Sequence, residues 1–434
     1  MSWVQRYRLR LYFQNSLWIL PALSIPVALV IVSLLTRYER AVGSHIDISV
    51  ETGRAIMGTV AASTFTLVVL VASAILVAVQ LASAQLTPRV IALVYQNPYR
   101  KVAFAIFVLT FSFAVGVLVR IEDTVPLLAG YGAAYGFLLN LALFIFFIDN
   151  MGKSLRPSAA ARTVGLVGRK VIKAVYPHPL KDEANSQPLR VFAGKAPRVV
   201  RNIVDGSVLA FDLKGLLTLA ERARCVIVLV PEVGDFVAKG DPLFRIVQGG
   251  DDLPDTKLTN SVAIGEERTL DQDPLFSFRI LVDIASKALS PAINDPTTAV
   301  LVIDQIHHLL RDVGNRDLAH GYEKDSSGHV RLIYRTPDWE DFVQLGTTEI
   351  RQFGRDSIQV QRRLKAMLTD LIGSLPERRL PVLQRELALL SNLSRRAFPD
   401  LDDQDLAEEG DLQGIGGSSD QITDDLRDAH VSAG

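Results

Sequence analysis

Four long stretches without a charged residue dominate the first third of the chain. They are Ser16–Leu35, Ala55–Leu86, Val102–Val119 and Thr124–Ile148. A helix needs about 20 apolar residues to cross a hydrocarbon core of about 30 Å, and each stretch meets or approaches that length. The pattern therefore predicts an α-helical polytopic membrane domain with four spans, followed by a part of more ordinary composition.

Positive charges are distributed unevenly around the four predicted spans. One side carries twelve Lys and Arg side chains, namely Arg6, Arg8, Arg10, Arg89, Arg100, Lys101, Lys153, Arg156, Arg162, Arg169, Lys170 and Lys173. The other side carries four arginines close to five acidic residues. Because loops on the cytoplasmic side are enriched in Lys and Arg, both termini and everything after the fourth span are predicted to be cytoplasmic.

Polar side chains recur at helical spacing along the second span. Thr59, Ser63, Thr66, Ser73, Gln80 and Thr87 share one face of the predicted helix. The fourth span adds Asn140, one turn beyond the pair Gly132 and Gly136, whose spacing permits close approach of helix backbones. The candidate intramembrane polar face therefore consists of Thr59, Ser63, Thr66, Ser73, Gln80 and Asn140.

Two interpretations of this polar face remain open. In the first, it packs against neighbouring helices in a four-helix bundle, which is the commoner role of small and polar residues in membranes. In the second, it lines a water-filled path in an oligomer. The four stretches contain no Asp, Glu, Lys, Arg or His. Ion-coupled pumps normally need a titratable group at depth, so the sequence disfavours a pump and leaves a passive path possible.

The part after the fourth span alternates between strand and helix patterns. The basic, amphipathic segment Arg162–Val175 is predicted to lie along the membrane surface, where anionic lipid attracts its charges. Apolar runs between Ser186 and Val247 predict short strands, which end in a hairpin with Gly234 and Gly240 at its corners. We therefore predict a cytoplasmic α+β part, made of a small β module and a helical domain.

The predicted division of the chain has five parts. Residues 1–155 form the transmembrane domain, 156–190 a basic juxtamembrane linker, 191–250 a small barrel-like β module, 251–398 the helical domain and 399–434 an acidic tail. From Asp400 onward there are eleven acidic residues against one basic residue, Arg427. Such a segment buries too little apolar surface to offset ordering, so the tail is predicted to be disordered and solvating. Folding back onto a basic patch as a regulator is the alternative.

Two Asp-Pro pairs mark the starts of helices in the helical domain. Asp273 and Asp295 each precede a proline, and an aspartate cap followed by proline at the first helical position is a typical helix start. These residues also belong to a candidate polar cluster at the turn of a helical hairpin, made of Arg268, Asp271, Asp273, Asn294 and Asp295. Capping alone explains the two aspartates, which favours a structural role. The alternative is a site that binds a cation or a ligand, or contacts the membrane domain.

The same two boxes resemble those of a known family. The strings Arg268-Thr-Leu-Asp-Gln-Asp-Pro274 and Ser290-Pro-Ala-Ile-Asn-Asp-Pro296 are similar to the boxes of a prokaryotic family of four-span predicted membrane proteins, catalogued as a domain of unknown function. The resemblance runs from the first span to about residue 395. It implies the four-span architecture, and it implies no activity. Together with the predicted orientation, it leads us to expect a protein of a bacterial inner membrane.

Signals of catalysis are sparse in this chain. The histidines form no zinc-binding spacing, and no nucleophile elbow, dinucleotide fingerprint or phosphate-binding loop is present. The single cysteine, Cys225, excludes an intramolecular disulfide and a cysteine-based zinc site. The sequence predicts no cofactor and no nucleic-acid binding. An enzyme remains the alternative hypothesis, in the form of a membrane-anchored, metal-dependent hydrolase that uses the region of Asp271 and Asp273.

The leading functional hypothesis is therefore a channel-like or scaffold-like homo-oligomer of the inner membrane. Its cytoplasmic part would act as a sensory or assembly domain. The expected partners are the lipid bilayer and further copies of the chain. The identity of any permeant species or small ligand stays open at this point.

Overall fold

The computed structural model describes residues 1–43, 45–46, 48–85, 87, 89, 97–154, 156–180, 197–318 and 321–417. It divides into two compact units. One is formed by Leu9–Ala159 and is called the membrane unit. The other combines Met1–Arg8 with the chain from Ala160 onward and is called the extramembrane unit.

Four long apolar helices form the membrane unit within the described residues, as the sequence predicts. They are α2 (Ile19–Val42), α3 (Val50–Gln85), α4 (Pro98–Arg120) and α5 (Leu127–Ser154). Each is long and apolar enough to cross a membrane. A further helix, α1 (Trp3–Asn15), precedes them and was not predicted. Strands β1 (His45–Ile46) and β2 (Val125–Pro126) pair antiparallel beside the helix ends.

Helix α3 is much longer than a membrane requires. Its 36 residues extend about 54 Å at 1.5 Å per residue, against a hydrocarbon thickness of about 30 Å. The central helix of the unit is α4, which packs against α2, α3 and α5 and is the most deeply buried of the four. The core of the membrane unit therefore lies around α4, and α3 contributes only one side to it.

The first residues of the chain pack into the extramembrane unit. The amide of Val4 donates to the carbonyl of Asn260 at 3.4 Å, and the hydroxyls of Tyr7 and Thr269 are hydrogen-bonded at 3.2 Å. The N-terminal residues and the chain from Ala160 onward thus belong to one body. Two segments of one body lie on the same side of a membrane. An even number of spans between them, such as the four apolar helices, is consistent with this.

The extramembrane unit contains eight short strands among its described residues. They are β3 (Arg198–Arg201), β4 (Gly206–Phe211), β5 (Val226–Leu229), β6 (Phe236–Val237), β7 (Pro242–Val247), β8 (Val262–Gly265), β9 (Tyr322–Lys324) and β10 (Val330–Ile333). One sheet has the order β3-β7-β5-β10-β9, and the other has the order β6-β4-β8. The buried Cys225 lies in their shared apolar core.

Two predictions about the β module need correction. Strands β6 and β7 were predicted to form a hairpin, but β6 pairs with β4 while β7 pairs with β3 and β5. The predicted boundary at residue 250 also fails, because β10 pairs in parallel with β5 and lies between β5 and β9 inside the larger sheet. Pairing between strands so far apart in sequence leaves no local pattern that short-range reasoning detects.

The helices of the extramembrane unit surround these sheets and one another. They are α6 (Pro157–Val175), α7 (Leu213–Arg222), α8 (Asp255–Thr259), α9 (Pro274–Ala288), α10 (Pro296–Gly314), α11 (Trp339–Phe353), α12 (Ile358–Ser374), α13 (Leu380–Ala397) and α14 (Leu401–Glu408), with a 3₁₀ turn at Glu377–Arg379. Arg279 on α9 pairs with Asp283 at 2.7 Å and with Glu349 on α11 at 2.5 Å, which ties these helices together.

Helix α6 corrects the prediction of a segment lying on the membrane surface. Its apolar face is buried inside the extramembrane unit, where Gly168 approaches α9 so closely that a Cβ there would lie 2.8 Å from the Cβ of Ser277. On the same helix Arg169 pairs with Asp312 of α10 at 2.6 Å. An amphipathic helix fits a protein groove and a membrane surface equally well, so its sequence alone does not distinguish them. Residues 181–190 of the predicted linker lie outside the described residues.

The start of the acidic tail is ordered, contrary to prediction. Residues 401–408 form α14, and the following residues up to Gly417 lie on α12. Glu408 pairs with Lys365 and accepts a hydrogen bond from Ser391 at 3.0 Å. A high net charge predicts disorder only when the charged side chains lack partners. Here basic side chains on α12 are the partners of this acidic segment. Residues 418–434 lie outside the described part of the chain.

Candidate functional site

The five side chains of the predicted polar cluster do not come together. Arg268, Asp271 and Asp273 precede the first residue of α9, whereas Asn294 and Asp295 follow its end. Helix α9 has 15 residues, so its ends are about 22 Å apart at 1.5 Å per residue. The prediction of one site at the turn of the hairpin is therefore wrong, because the first helix starts at the end remote from the turn.

The group at the turn is explained by local structure. Asp295 caps α10 by accepting the amide of Thr298 at 3.0 Å, and its own amide donates to the carbonyl of Ala288 at 2.7 Å. Asn294 adopts a left-handed conformation with φ at 49°, which asparagine tolerates better than most residues. These contacts complete the turn, and the structural interpretation of Asn294 and Asp295 is favoured.

The group at the start of α9 is more unusual, because it combines a buried carboxylate with an arginine. Asp273 is only 2% exposed and caps the helix by accepting the amide of Phe276 at 2.9 Å. Arg268 Nε lies 3.1 Å from Asp273 Oδ2, an ion pair whose geometry falls short of a directed hydrogen bond. The guanidinium carbon of Arg268 also lies 5.9 Å from the centroid of the Phe276 ring.

A loop of the β part completes this group, and sequence reasoning missed it. Gly234, with φ at 96°, lies against the guanidinium of Arg268, and a Cβ at that position would fall 1.7 Å from Arg268 Nη2. Glu232 and Asp235 flank the glycine, and the amide of Glu232 donates to Asp235 Oδ2 at 2.9 Å. We call Glu232, Asp235, Arg268 and Asp273 the Arg268 site. The Gly-Asp pair was visible in the sequence, but it was interpreted only as a hairpin corner.

Burial gives two carboxyls of the Arg268 site unusual titration behaviour. It raises the pKa of Asp273 to about 6, although Arg268 and the amide of Phe276 oppose the shift. Burial and then the neighbouring carboxylate of Asp235 raise the pKa of Glu232 to about 7. One arginine therefore lies among carboxyls that change charge near neutral pH.

The Arg268 site offers little to a metal-dependent hydrolase. No group of three or more His, Cys, Asp or Glu side chains is arranged to hold a metal ion anywhere in the described ranges. Asp273 is already engaged by the amide of Phe276 and by Arg268. Asp271 is partly buried, and its Oδ2 has no hydrogen-bond partner among the described residues. The pairing of Asp271 with Asp273 in a hydrolytic centre thus gains no supporting observation.

The polar face of α3 points away from the core of the membrane unit. Its members Thr59, Thr66, Ser73 and Gln80 are exposed, and Ser63 is half-buried. The opposite side of α3 packs inward through Val60, Ala61, Val71, Ile75 and Ala78. The interpretation that this face packs against helices of the same chain is therefore wrong. Periodicity showed that these side chains share a face, but it did not show which way that face points.

Asn140 does not belong to that outward face. It is fully buried, and Thr110 Oγ1 on α4 donates to its Oδ1 at 3.4 Å. On the same helix, a Cβ at Gly136 would lie 3.0 Å from Thr110 Cγ2, and one at Gly132 would lie 3.3 Å from the ring of Phe113. The glycine pair and Asn140 thus serve close packing of α5 on α4, as the packing interpretation of the fourth span predicts.

An open groove lies at the N-terminal end of the α3 polar face. It is shallow and open, and it is lined by Glu51, Thr52, Ala55, Ile56, Thr59 and Val60, all of α3. Thr59 belongs both to the groove and to the polar face. The outward polar surface therefore continues into an open end that carries the charge of Glu51.

Comparisons with known proteins agree with this architecture. A family model described as "Predicted membrane protein (DUF2254)" matches residues 14–370. Uncharacterized proteins of Mycobacterium bovis and of Mycobacterium tuberculosis are each similar to this chain, with 27% identity over 416 residues that cover 91% of this chain and 79% of the relative. No solved structure matches it.

Proposed function

This chain belongs to the DUF2254 family of predicted membrane proteins, and from that premise we propose that it is a channel-like or scaffold-like homo-oligomer of a bacterial inner membrane. In this proposal the extramembrane unit is cytoplasmic and acts as a sensory or assembly domain. The observation that carries the proposal is the outward orientation of the polar face of α3.

An outward polar face is costly if lipid alone covers it. From Thr59 to Gln80 the face rises about 32 Å, which is the full thickness of the hydrocarbon core. The hydroxyls of Thr59 and Thr66 donate to the carbonyls of Ala55 and Ala62, so these two groups are satisfied within the helix. The exposed amide of Gln80 has two donors and an acceptor, and it lies at the edge of the hydrocarbon core when Thr59 lies at the other edge. Wherever this amide enters hydrocarbon unpaired, the cost is roughly 2–7 kcal/mol. A protein or aqueous neighbour is therefore favoured over lipid.

A second copy of the chain is the neighbour that fits best. The exposed side of α3 carries small side chains at steps of three and four residues, namely Ala55, Thr59, Ala62 and Thr66. Small residues at this spacing let two helices approach closely, and polar groups then bond across the contact. The face is uncharged, so it needs no complementary charge, and an identical face satisfies it in a symmetric pair.

Access of water to the polar face of α3 distinguishes a channel-like assembly from a scaffold. In a channel-like assembly, cysteines at Thr59 and Thr66 should both react with a water-soluble thiol reagent in liposomes, in a Cys225→Ser background, whereas close packing of two α3 helices should leave only Thr59→Cys reactive. A cysteine at Val69, exposed on the flank of α3, is the control and should stay unreactive. Thiol reagents need the hydrated thiolate, so reaction at Thr66 supports a wet path. Protection of Thr66→Cys, with Thr59→Cys still reactive, would rule out the path and leave the scaffold.

Orientation is tested separately by fusing a topology reporter to the chain. The excess of Lys and Arg beside the extramembrane unit favours a cytoplasmic location for that unit. A reporter after Gly43 should therefore be periplasmic, and reporters after Thr87 or Leu180 should be cytoplasmic. A periplasmic reporter after Leu180 would contradict the proposed orientation.

A further inference from the structure

The residues after α14 are held on α12 by a buried arginine. Arg362 is only 2% exposed. Its guanidinium donates to the backbone carbonyls of Glu409 at 3.2 Å, Gly416 at 3.3 Å and Gly417 at 2.8 Å. Hydrogen bonds from a charged donor are stronger than neutral ones, so one side chain fixes both ends of the segment Glu409–Gly417. We call this segment the strap.

A buried carboxylate folds the strap into its bound shape. Asp411 accepts the amides of Gln413 at 2.9 Å, Gly414 at 2.8 Å and Gly416 at 2.7 Å. The amide of Asp411 donates to the carbonyl of Arg362 at 3.2 Å, which aligns the fold with α12. The strap therefore has its own internal structure and a defined register on the helix.

Glycines are required where the strap touches the helices. A Cβ at Gly414 would lie 2.6 Å from Val300 Cγ1 on α10, and one at Gly410 would lie 3.3 Å from the Cα of Ala366 on α12. Gly414 and Gly416 also have positive φ values, 73° and 90°, that favour glycine. The surface under the strap thus fits the pattern Gly-Asp-x-x-Gly-x-Gly and excludes larger side chains at the contact points.

Polar contacts rather than apolar burial hold the strap. Its two large apolar side chains point to solvent, with Leu412 58% exposed and Ile415 76% exposed. A segment with little buried apolar surface opens at a lower free energy than the core on which it lies. The strap also lies beyond residue 370, where the match to the family model ends, whereas Arg362 lies inside that match.

From these contacts we infer that Glu409–Gly417 is a detachable strap, and that α10 and α12 form a binding seat for a Gly-Asp-x-x-Gly-x-Gly segment. In this structure the chain's own strap occupies that seat. The seat residues are Val300, Gln359, Arg362 and Ala366, and Gln359 Nε2 donates to the carbonyl of Gly414 at 2.8 Å. Opening the strap uncovers Arg362 and leaves a basic groove for acidic, glycine-rich peptide.

Hydrogen exchange on the full-length chain in detergent tests whether the strap opens by itself. The amides of Gln413, Gly414 and Gly416 should exchange at least tenfold faster than core amides of α12, and more slowly than in a free peptide. Arg362→Met should accelerate strap exchange at least tenfold and leave α9 unchanged, whereas the exposed Arg396→Met should change neither. If Arg362→Met disturbs the whole unit, Asp411→Asn, which lies within the strap, provides the same comparison.

Binding in trans tests the seat. A synthetic peptide with the sequence of residues 408–417 should slow the exchange of seat amides in an Asp411→Ala chain, whose own strap is weakened. The same peptide with valine in place of Gly414 should have no effect. Strap amides that exchange only together with the core, or a peptide that leaves the seat amides unchanged at millimolar concentration, would overturn the inference.

Discussion

Replacing Asp273 with alanine should destabilise the extramembrane unit more than the loss of an ordinary helix cap. The substitution removes the acceptor for the Phe276 amide and the partner of Arg268. A lost cap costs about 0.5–2 kcal/mol, and a broken, fully buried ion pair costs about 3–5 kcal/mol. The Arg268 side chain is 37% exposed. Water therefore solvates part of its charge after the substitution, which lowers the cost of breaking the pair. We therefore expect a loss of about 2–4 kcal/mol near pH 4, which shrinks as pH rises through about 6 because the buried carboxylate then becomes charged.

A matched control is available in the same pair of helices. Asp295 also caps a helix that begins with proline, but it has no arginine partner among the described ion pairs. Asp295→Ala should therefore cost only the cap, about 0.5–2 kcal/mol. Exchange of core amides in α9 and α10 of the purified chain measures both losses. Equal losses for the two variants would show that the Arg268 pair contributes nothing to stability.

The pH dependence of stability checks the electrostatic part of this argument. The pKa of Asp273 is raised from 3.8 to about 6 in the folded chain, so between about pH 4 and pH 6 the folded state binds more protons than the unfolded state. The contribution of protonated Asp273 to the free energy of unfolding is fully present below about pH 4, and it is lost as pH rises through about 6. Asp273→Asn should remove that slope. A wild-type chain that gains stability over this window, relative to the variant, would contradict the assignment.

The sequence was most informative where one physical requirement acts alone. Hydrocarbon thickness sets the length of a span, so the four apolar helices could be predicted from uncharged stretches. Local capping chemistry likewise identified Asp273 and Asp295, because an N-cap depends on residues within one turn. Each of these features needs no knowledge of distant parts of the chain.

Features that depend on distant contacts could not be predicted. The Arg268 site joins a loop near Gly234 to the start of α9, and no periodicity links these segments. The pairing of β10 with β5 is hidden for the same reason. Charge counting also misled us about residues 400–417, since it ignores the buried Arg362 that organises them. In each case a tertiary partner overrides a local signal.

The outward face of α3 depends both on a local sequence pattern and on contacts between distant residues. Its period of seven residues was visible in the sequence, but its direction depends on which side of the helix packs on α4. With that direction known, the polar stripe becomes a surface that a second copy can cover. Self-association through this surface is the central claim about function, and it predicts contacts between copies at defined positions.

Disulfide cross-linking between copies tests that claim most directly. Ser73→Cys, in a Cys225→Ser background, should form covalent dimers in native membranes within minutes of mild oxidation. Two similarly exposed controls are Leu76 on the flank of α3 and Ile145 on α5, which are 61% and 65% exposed. Cysteines there should cross-link at least tenfold less. Dimers at Ser73 alone are the predicted result, and equal cross-linking at all three positions, or none at Ser73, would contradict self-association through the polar face.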